Sequence, residues 1–503
     1  MPEILLCLDS GTTAVKAAAF DAGGRLRAAA ERPNGALRRA GERVEQDMAV
    51  TRDEALAVLA ECVAQLDGAE VSALILTGQG DGVWPVDAAG APLGRAITWL
   101  DGRARGIAAS RGPALDRVQA LTGSRPTAAA ATLQLLWLQE AEPDRFALIA
   151  HALRLKEWLF LSLTGEVLAE PGVLLPVWGD WRSGRILPEV GETLGLTRAE
   201  ALLPATRPVG EARAGLQPDI AARLGLPPGL PVLIGPGDVQ STLIGLGLGV
   251  RPAVTRASIF GTSAIHACLR SDPDGMPERP AGAMVQPFAL GQGYLCFHPS
   301  FNGATALAHM GRLFADLPAA TPPRYSALIL QPFLEPGGER APWTDPRASA
   351  TLSGLNAAAE PAEIAWAARE ALAFVTRRSH AMMGAPEGVL SLGGGLARDG
   401  HFAQFLSTLT GSPVERSPGG HAGLRGLAAI GARFLFDTDT INLDQRWLGA
   451  PEERLVPAAG AVAAYAGRKF RLFCEMVETA QSFWGPLAQL RSEAEALMKD
   501  PAP

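Results

Sequence analysis

Two short turns of small, hydroxyl-bearing residues are the first places where this sequence could hold a phosphate. Asp9-Ser10-Gly11-Thr12-Thr13 follows the apolar run Ile4-Leu5-Leu6-Cys7-Leu8, and Gly261-Thr262-Ser263 follows Ala257-Ser258-Ile259-Phe260. In each turn a glycine lets a ligand approach the backbone, while the amides and the hydroxyls of Thr12, Thr13, Thr262 and Ser263 are donors suited to an anion. Asp9 adds a strand-end carboxylate of the kind that organises hydrated Mg2+. Taken singly, each reads equally well as an ordinary Asx or Ser turn. Two of them, each fed by a strand and far apart in the chain, point to a phosphate clamp between two halves of the molecule. Other phosphate devices are missing: there is no Gly-Lys dipeptide and hence no Walker-type loop. The spaced Rossmann glycines with a downstream acid, the H-E-x-x-H helix and the protein-kinase motif set are absent too.

The elements that must position these turns read as a repeated α/β pattern. The first turn joins two apolar runs, the second ending in Asp21-Ala22-Gly23-Gly24, so a β-hairpin is expected. A helix is expected from Thr51, where Thr51 and Glu54 have capping-box spacing and Leu56, Leu59, Val63 and Leu66 recur at helical intervals. A buried strand over 71–76 then runs into Thr77-Gly78-Gln79-Gly80-Asp81-Gly82, and helical patterns dominate from about 104 to 165. Val232-Leu233-Ile234 delivers Gly235-Pro236-Gly237-Asp238, and Val389-Leu390-Ser391-Leu392 delivers Gly393-Gly394-Gly395. Between the last two lies a long amphipathic helix from Pro361 to about Met383, and the tail from about 458 reads as one or two more. Each half has a strand feeding a Gly-Thr turn, which suggests a duplicated architecture.

Composition narrows the class. A chain of 503 residues exceeds the roughly 100–200 residues of one ordinary domain, and 48% hydrophobic with 19% charged residues can bury large cores. The net charge of −7, without a basic block, argues against nucleic acid as the main partner. Five scattered cysteines with no C-x-x-C pair indicate neither a disulfide framework nor a zinc site. The apolar stretch 232–250 is interrupted by Pro236 and Asp238 and is not a membrane span, and the start lacks the basic and apolar regions of a signal peptide. A cytoplasmic enzyme is the expectation.

In this order the motifs resemble the FGGY family of carbohydrate kinases, within the actin-like ATPase superfamily, over residues 4 to about 433. The second family signature is nearly complete in Ala350-Thr351-Leu352-Ser353-Gly354-Leu355, followed by Glu363-Ile364 and Glu370, with Arg369 where an apolar residue is usual. Gly338-Glu339-Arg340-Ala341-Pro342 looks like the family's Gly-Glu-Arg-x-Pro segment. The resemblance implies two actin-like (ribonuclease H-like) α/β domains, residues 1–247 and 248–503, with ATP and Mg2+ in the cleft between them. It assigns Asp238 as catalytic base, a role that suits chemistry in which a poorly nucleophilic hydroxyl must lose its proton to attack a γ-phosphoryl group; a helix N-cap is the other reading of Asp238. It also implies phosphate contacts from Gly11, Thr12, Thr13, Gly261, Thr262, Ser263 and Gly303, and adenosine contacts from Gly394, Gly395 and Arg398. Arg398 replaces a small polar residue. Magnesium would be held by Asp9, through water, and Asp238. A homodimer is suggested at the family level only.

Gln79-Gly80-Asp81-Gly82 occupies the family's substrate loop. Xylulose kinases usually carry Gln-Met-His there and glycerol kinases Gln-Arg-Glu; with Trp84, Asp101 and Arg103 this segment most resembles erythritol kinases. A carboxylate without a neighbouring imidazole suits a linear polyol, because it can accept from two vicinal hydroxyls. Asp101 and Arg103 read equally as a structural salt bridge, and Asp81 as a turn cap. Lys156-Glu157-Trp158-Leu159 with Leu163-Thr164-Gly165 resembles the family's Lys-Asp-Tyr-Leu…Leu-Thr-Gly helix, but Ala169-Glu170-Pro171-Gly172 departs from the usual cluster after it. The expected activity is phosphorylation of a small polyol, best erythritol or a related tetritol, or of a xylulose-type pentulose. An actin-like ATPase and an inactive sugar sensor are the rivals from other classes.

Overall fold

The computed structural model describes residues 4–180, 182–271, 282–291, 293–314, 317–318, 322–416 and 421–499. Its N-terminal sheet contains β1 (Ile4–Ser10), β2 (Ala14–Asp21), β3 (Leu26–Pro33), β4 (Val71–Gly78), β5 (Arg213–Gly215) and β6 (Pro231–Ile234), in the order β5-β6-β4-β1-β2-β3. β1, β2 and β3 form an antiparallel meander, while β4 runs parallel to β1 and β6 parallel to β4. The C-terminal sheet contains β7 (Val254–Phe260), β8 (Ala264–Arg270), β9 (Met284–Pro287), β10 (Tyr294–Ser300), β11 (Val389–Gly394), β12 (Val414–Arg416) and β13 (Glu453–Leu455), in the order β9-β10-β8-β7-β11-β12-β13. There β7, β8 and β10 form the antiparallel meander, and β11 and β12 add in parallel beyond β7. Apart from β9, an extra edge strand of the second sheet, the two sheets match in order and direction: a duplicated, actin-like fold.

Continuous apolar runs explain why the parallel strands lie inside. β1 and β4 are buried on both faces, as strands covered by helices on each side must be. One face packs on α1 (Met48–Val63) and α2 (Leu155–Thr164). The other carries α3 (Asp238–Gly245), from the N-terminal half, and α5 (Ala422–Leu435), which follows α4 (Pro361–Met382) in the C-terminal half. Leu5, Ile75 and Leu233 meet Leu243, Leu246, Leu424 and Leu427 there, in a core that continues to Ala257 and Leu295 of the second sheet. α3 and α5 cross at glycines: a Cβ on Gly245 would overlap the Ala422 carbonyl, and one on Gly426 the Ser241 carbonyl.

One boundary differs from expectation. α1 begins at Met48, and Asp47 caps it by accepting from the Val50 amide at 3.1 Å. Thr51 lies inside the helix, where its hydroxyl donates to the Asp47 carbonyl at 2.7 Å. The earlier carboxylate takes the cap because its extended backbone lets the side chain reach the first free amides. The tail is one helix, α6 (Ala461–Lys499), anchored where Lys469 Nζ donates to Glu370 at 2.6 Å and to the Ser326 carbonyl at 2.9 Å. No helix among the described residues is long and apolar enough to cross a membrane.

Candidate active site

Parallel strands that end together bring their following loops together. In the first sheet, Asp9 lies beside Thr77 and Ser10 beside Gly78, while Ile234 lies beside Leu76. Residues 9–13, 79–82 and 235–238 thus leave one edge side by side. The third loop is tied to the second strand: the Gly235 amide donates to the Leu76 carbonyl at 2.8 Å, and Thr77 Oγ1 to the Pro236 carbonyl at 2.6 Å. Lys156, fully buried on α2, donates to the Gly235 carbonyl at 3.0 Å and to Glu170 at 2.5 Å.

Asp238 is the first residue of α3, after Gly237 at the cap position, so its carboxylate stands at the helix's positive end. Oδ1 accepts from the Val239 amide at 2.9 Å. Burial, and next the charge of Asp9, push the carboxyl up to about 7. Asp9 is pushed up to about 6, again by burial, with Lys16 acting against the rise. Asp9 Oδ1 is buried without a hydrogen-bond partner. Two neighbouring carboxylates, one carrying an unanswered oxygen, fit a hydrated divalent cation.

The second sheet repeats the device. Gly261, Thr262 and Ser263 close the β7–β8 hairpin, whose last pair is Phe260 and Ala264. The Ala304 amide donates to the Gly261 carbonyl at 2.9 Å, and Thr305 Oγ1 to the Thr262 carbonyl at 2.7 Å. Gly303 lies against the turn so closely that a Cβ would overlap Ser263. β11 pairs Gly394 with Phe260, which sets Gly394 and Gly395 next to the turn. Gly394 has φ +84 and no room for a Cβ beside the Phe260 carbonyl, so no other residue fits there. Arg398 is exposed just beyond.

The model for the FGGY family of carbohydrate kinases, N-terminal domain, matches residues 4–245, and that for the C-terminal domain matches residues 257–435. The chain belongs to the FGGY family of carbohydrate kinases. The erythritol kinase of Brucella abortus (strain 2308) is 28% identical over 488 residues, 90% of this chain and 92% of that protein. The xylulose kinase of Escherichia coli (strain K12) is 26% identical over 411 residues, 80% and 83% of the two. The solved gluconate kinase from Lactobacillus acidophilus superposes with a TM-score of 0.85 at 20% identity, covering 97% of this chain and all of that one. This FGGY kinase is thus a phosphotransferase that uses ATP as phosphate donor.

In the loop after β4, Gln79 is buried and donates through Nε2 to Gln46 Oε1 at 3.1 Å. Asp81 is half-buried and its carboxyl raised by burial, with the charges of Arg154 and Arg340 opposing the rise. Three other residues expected to contact substrate have burial or protein partners of their own. Trp84 is 1% exposed and belongs to the core under α1 and α2, because its strand, buried on both faces, sends Trp84 and Val86 into that core and Val83 into another. Asp101 is saturated: it accepts from the Val44 amide at 2.6 Å and from Arg103 Nε and Nη2, each at 2.8 Å. Arg103 also bonds Glu45 at 2.6 Å and lies over Trp137, completing the structural salt bridge. Val173, meanwhile, touches the space beside both Gly80 and Gly237. It directly follows the Ala169–Gly172 stretch that departs from the family pattern, so only the fold could place it. Trp99 and Arg154 likewise carried no role in the sequence reading, and Arg340 was marked there only as part of the Gly338–Pro342 segment.

Proposed function

We propose that this FGGY kinase transfers the γ-phosphoryl group of ATP to a hydroxyl of a small linear polyol, erythritol or a related tetritol being the best fit. Asp238 accepts the hydroxyl proton while the new O–P bond forms and the bond from the γ-phosphorus to the departing ADP oxygen breaks. The observation that carries this reading is the pair Asp238 and Asp9, set together where three loop-bearing strands end. A carboxylate held near neutrality is an effective proton acceptor at ordinary pH.

Gly11, Thr12, Thr13, Gly261, Thr262, Ser263 and Gly303 would hold the phosphates, and Gly394, Gly395 and Arg398 the adenosine. Asp9, through water, and Asp238 would hold Mg2+, which when bound supplies charge neutralisation on the phosphates. The domains divide at 247/248 in this reading. Asp81 accepts from the acceptor's hydroxyls, with Gln79 beside it; Asp101 and Arg103 brace the loop rather than touch the ligand. Similarity to the erythritol kinase over nearly the whole chain favours the tetritol. A xylulose-type pentulose is the second reading, favoured by the unpartnered N–H groups of Arg154, which a ketose carbonyl could accept.

ADP release measured across tetritols, pentitols, pentuloses and glycerol tests this. Stimulation by a tetritol is expected. Acceptor-independent hydrolysis would indicate an ATPase instead, and silence a sensor. Asp238→Asn and Asp238→Ala are expected to lose roughly 100- to 10,000-fold in turnover with nucleotide affinity little changed; retained turnover removes the base.

A further inference from the structure

The C-terminal domain reaches into the pocket that the N-terminal domain builds. Glu339 is buried, and its carboxylate accepts from Ser300 Oγ and Asn302 Nδ2 at 2.8 Å each, the Phe301 amide at 3.0 Å and the Arg340 amide at 2.7 Å. This cage fixes where the Arg340 side chain starts. Its guanidinium then lies 4.4 Å from the Phe301 ring centre and 5.8 Å from that of Trp99, a residue of the other domain. Trp99 in turn donates to Thr12 Oγ1 at 3.0 Å, in the first phosphate turn. Arg340 Nε is buried with no hydrogen-bond partner. Arg154, at 0% exposure, leaves Nε and Nη2 unpartnered as well.

These two arginines are the cations that act on Asp81. Gly80 gives the substrate loop no side chain at that position, with only Val173 within reach of a Cβ, at 3.7 Å, and Gln79 is engaged by Gln46. Space beside Asp81 is therefore served by arginines from other elements. The Arg340 guanidinium, over the Phe301 ring, keeps an unpartnered Nε–H to donate, while a carboxylate only accepts. Donor and acceptor set side by side match a vicinal diol, each of whose hydroxyls can do both.

We propose that Arg340 is a specificity-determining residue for the acceptor, donating from the C-terminal domain to a polyol oxygen away from the reacting hydroxyl, on the molecule that Asp81 accepts from. The polyol then bridges the two domains, so binding it favours their closure over the nucleotide. This rests on the functional reading above.

Steady-state kinetics of the full chain with Arg340→Met and Arg340→Lys, varying acceptor and ATP separately, test it. Losing a charged hydrogen bond should raise the acceptor KM about 10- to 100-fold in Arg340→Met, leaving the KM for ATP within about twofold. Lysine keeps the charge without the planar fork and should fall between. An unchanged acceptor KM overturns the proposal; so does an equal rise in both KM values, which would make Arg340 a general closing contact. If Arg340→Met does not fold, Arg340→Lys decides by the same comparison. Wild-type enzyme that phosphorylates nothing in the panel sinks the functional reading itself. Active wild type with an indifferent Arg340→Met sinks only this inference.

Discussion

Asp9 and Asp238 repel one another in a partly dry cleft, and that cost is visible to pH. Both carboxyls sit above their usual value of 3.8, at about 6 and about 7, because burial disfavours ionisation of each and the charge of Asp9 adds to the rise at Asp238. Lys16, on β2, opposes the rise at Asp9, and Lys156, on α2, opposes it at Asp238. A carboxyl raised in the folded state stabilises the fold fully at low pH, and that share is lost as pH climbs through the folded value. The ligand-free melting temperature should therefore fall between about pH 4 and about pH 7, and Asp9→Asn should flatten the slope. Calorimetry across that range checks it; a slope unaltered in Asp9→Asn would mean the pair is not coupled. At this scale, legibility followed local context. Asp9 and Asp238 could be read because each follows an apolar strand and a glycine turn. Asp101 could not be assigned, because the amide that saturates it belongs to Val44, far along the chain. Arg154 was hidden among abundant arginines, and Arg340 stood in a family segment that gave it no role; what joins them is an unpartnered Nε and a charge that acts on Asp81.

Among the elements, hairpins and parallel strands were legible, since apolar runs ending in Gly-Thr or Gly-Gly turns state their own limits. The start of α1 was not: Asp47 and Thr51 both cap well, and the choice between them depends on backbone conformation. Nor does any periodicity announce that α3 and α5 cross at Gly245 and Gly426. Each glycine there meets a carbonyl of the opposite helix so closely that a methyl group cannot enter without moving backbone. Ordinarily Gly→Ala within a helix gains about 1 kcal/mol from propensity. Here overpacking should reverse the sign. Gly245→Ala is expected to lose about 1–3 kcal/mol of stability or more, read from denaturant midpoints. A stabilised variant would show that the two helices can separate freely.

At the scale of the whole molecule, the question is whether two matched sheets behave as two units. Duplication suggests independence, since each half owns a meander, two parallel additions and a Gly-Thr turn. The core argues otherwise. Leu246 and Leu248, just past α3, are fully buried together with Leu5 and Ile75 of one sheet and Ala257 and Leu295 of the other, and α5 closes the same cluster from the C-terminal half. Leu246 itself fills the space beside Gly393, at the foot of the proposed adenosine turn. A boundary through such a cluster would expose apolar surface on both sides, so the halves should unfold together. Opening and closing would remain compatible with this, because the loops proposed to carry the base and the phosphates lie at the strand ends, beyond the shared core. Scanning calorimetry of the ligand-free chain should accordingly give one cooperative peak. Leu246→Ala should lower that single peak, by about 2–5 kcal/mol of stability, without splitting it. Two resolved transitions in the wild type would mean that this core is a contact between finished domains, and that closure over a ligand must then be carried by the ligand-bridging residues alone.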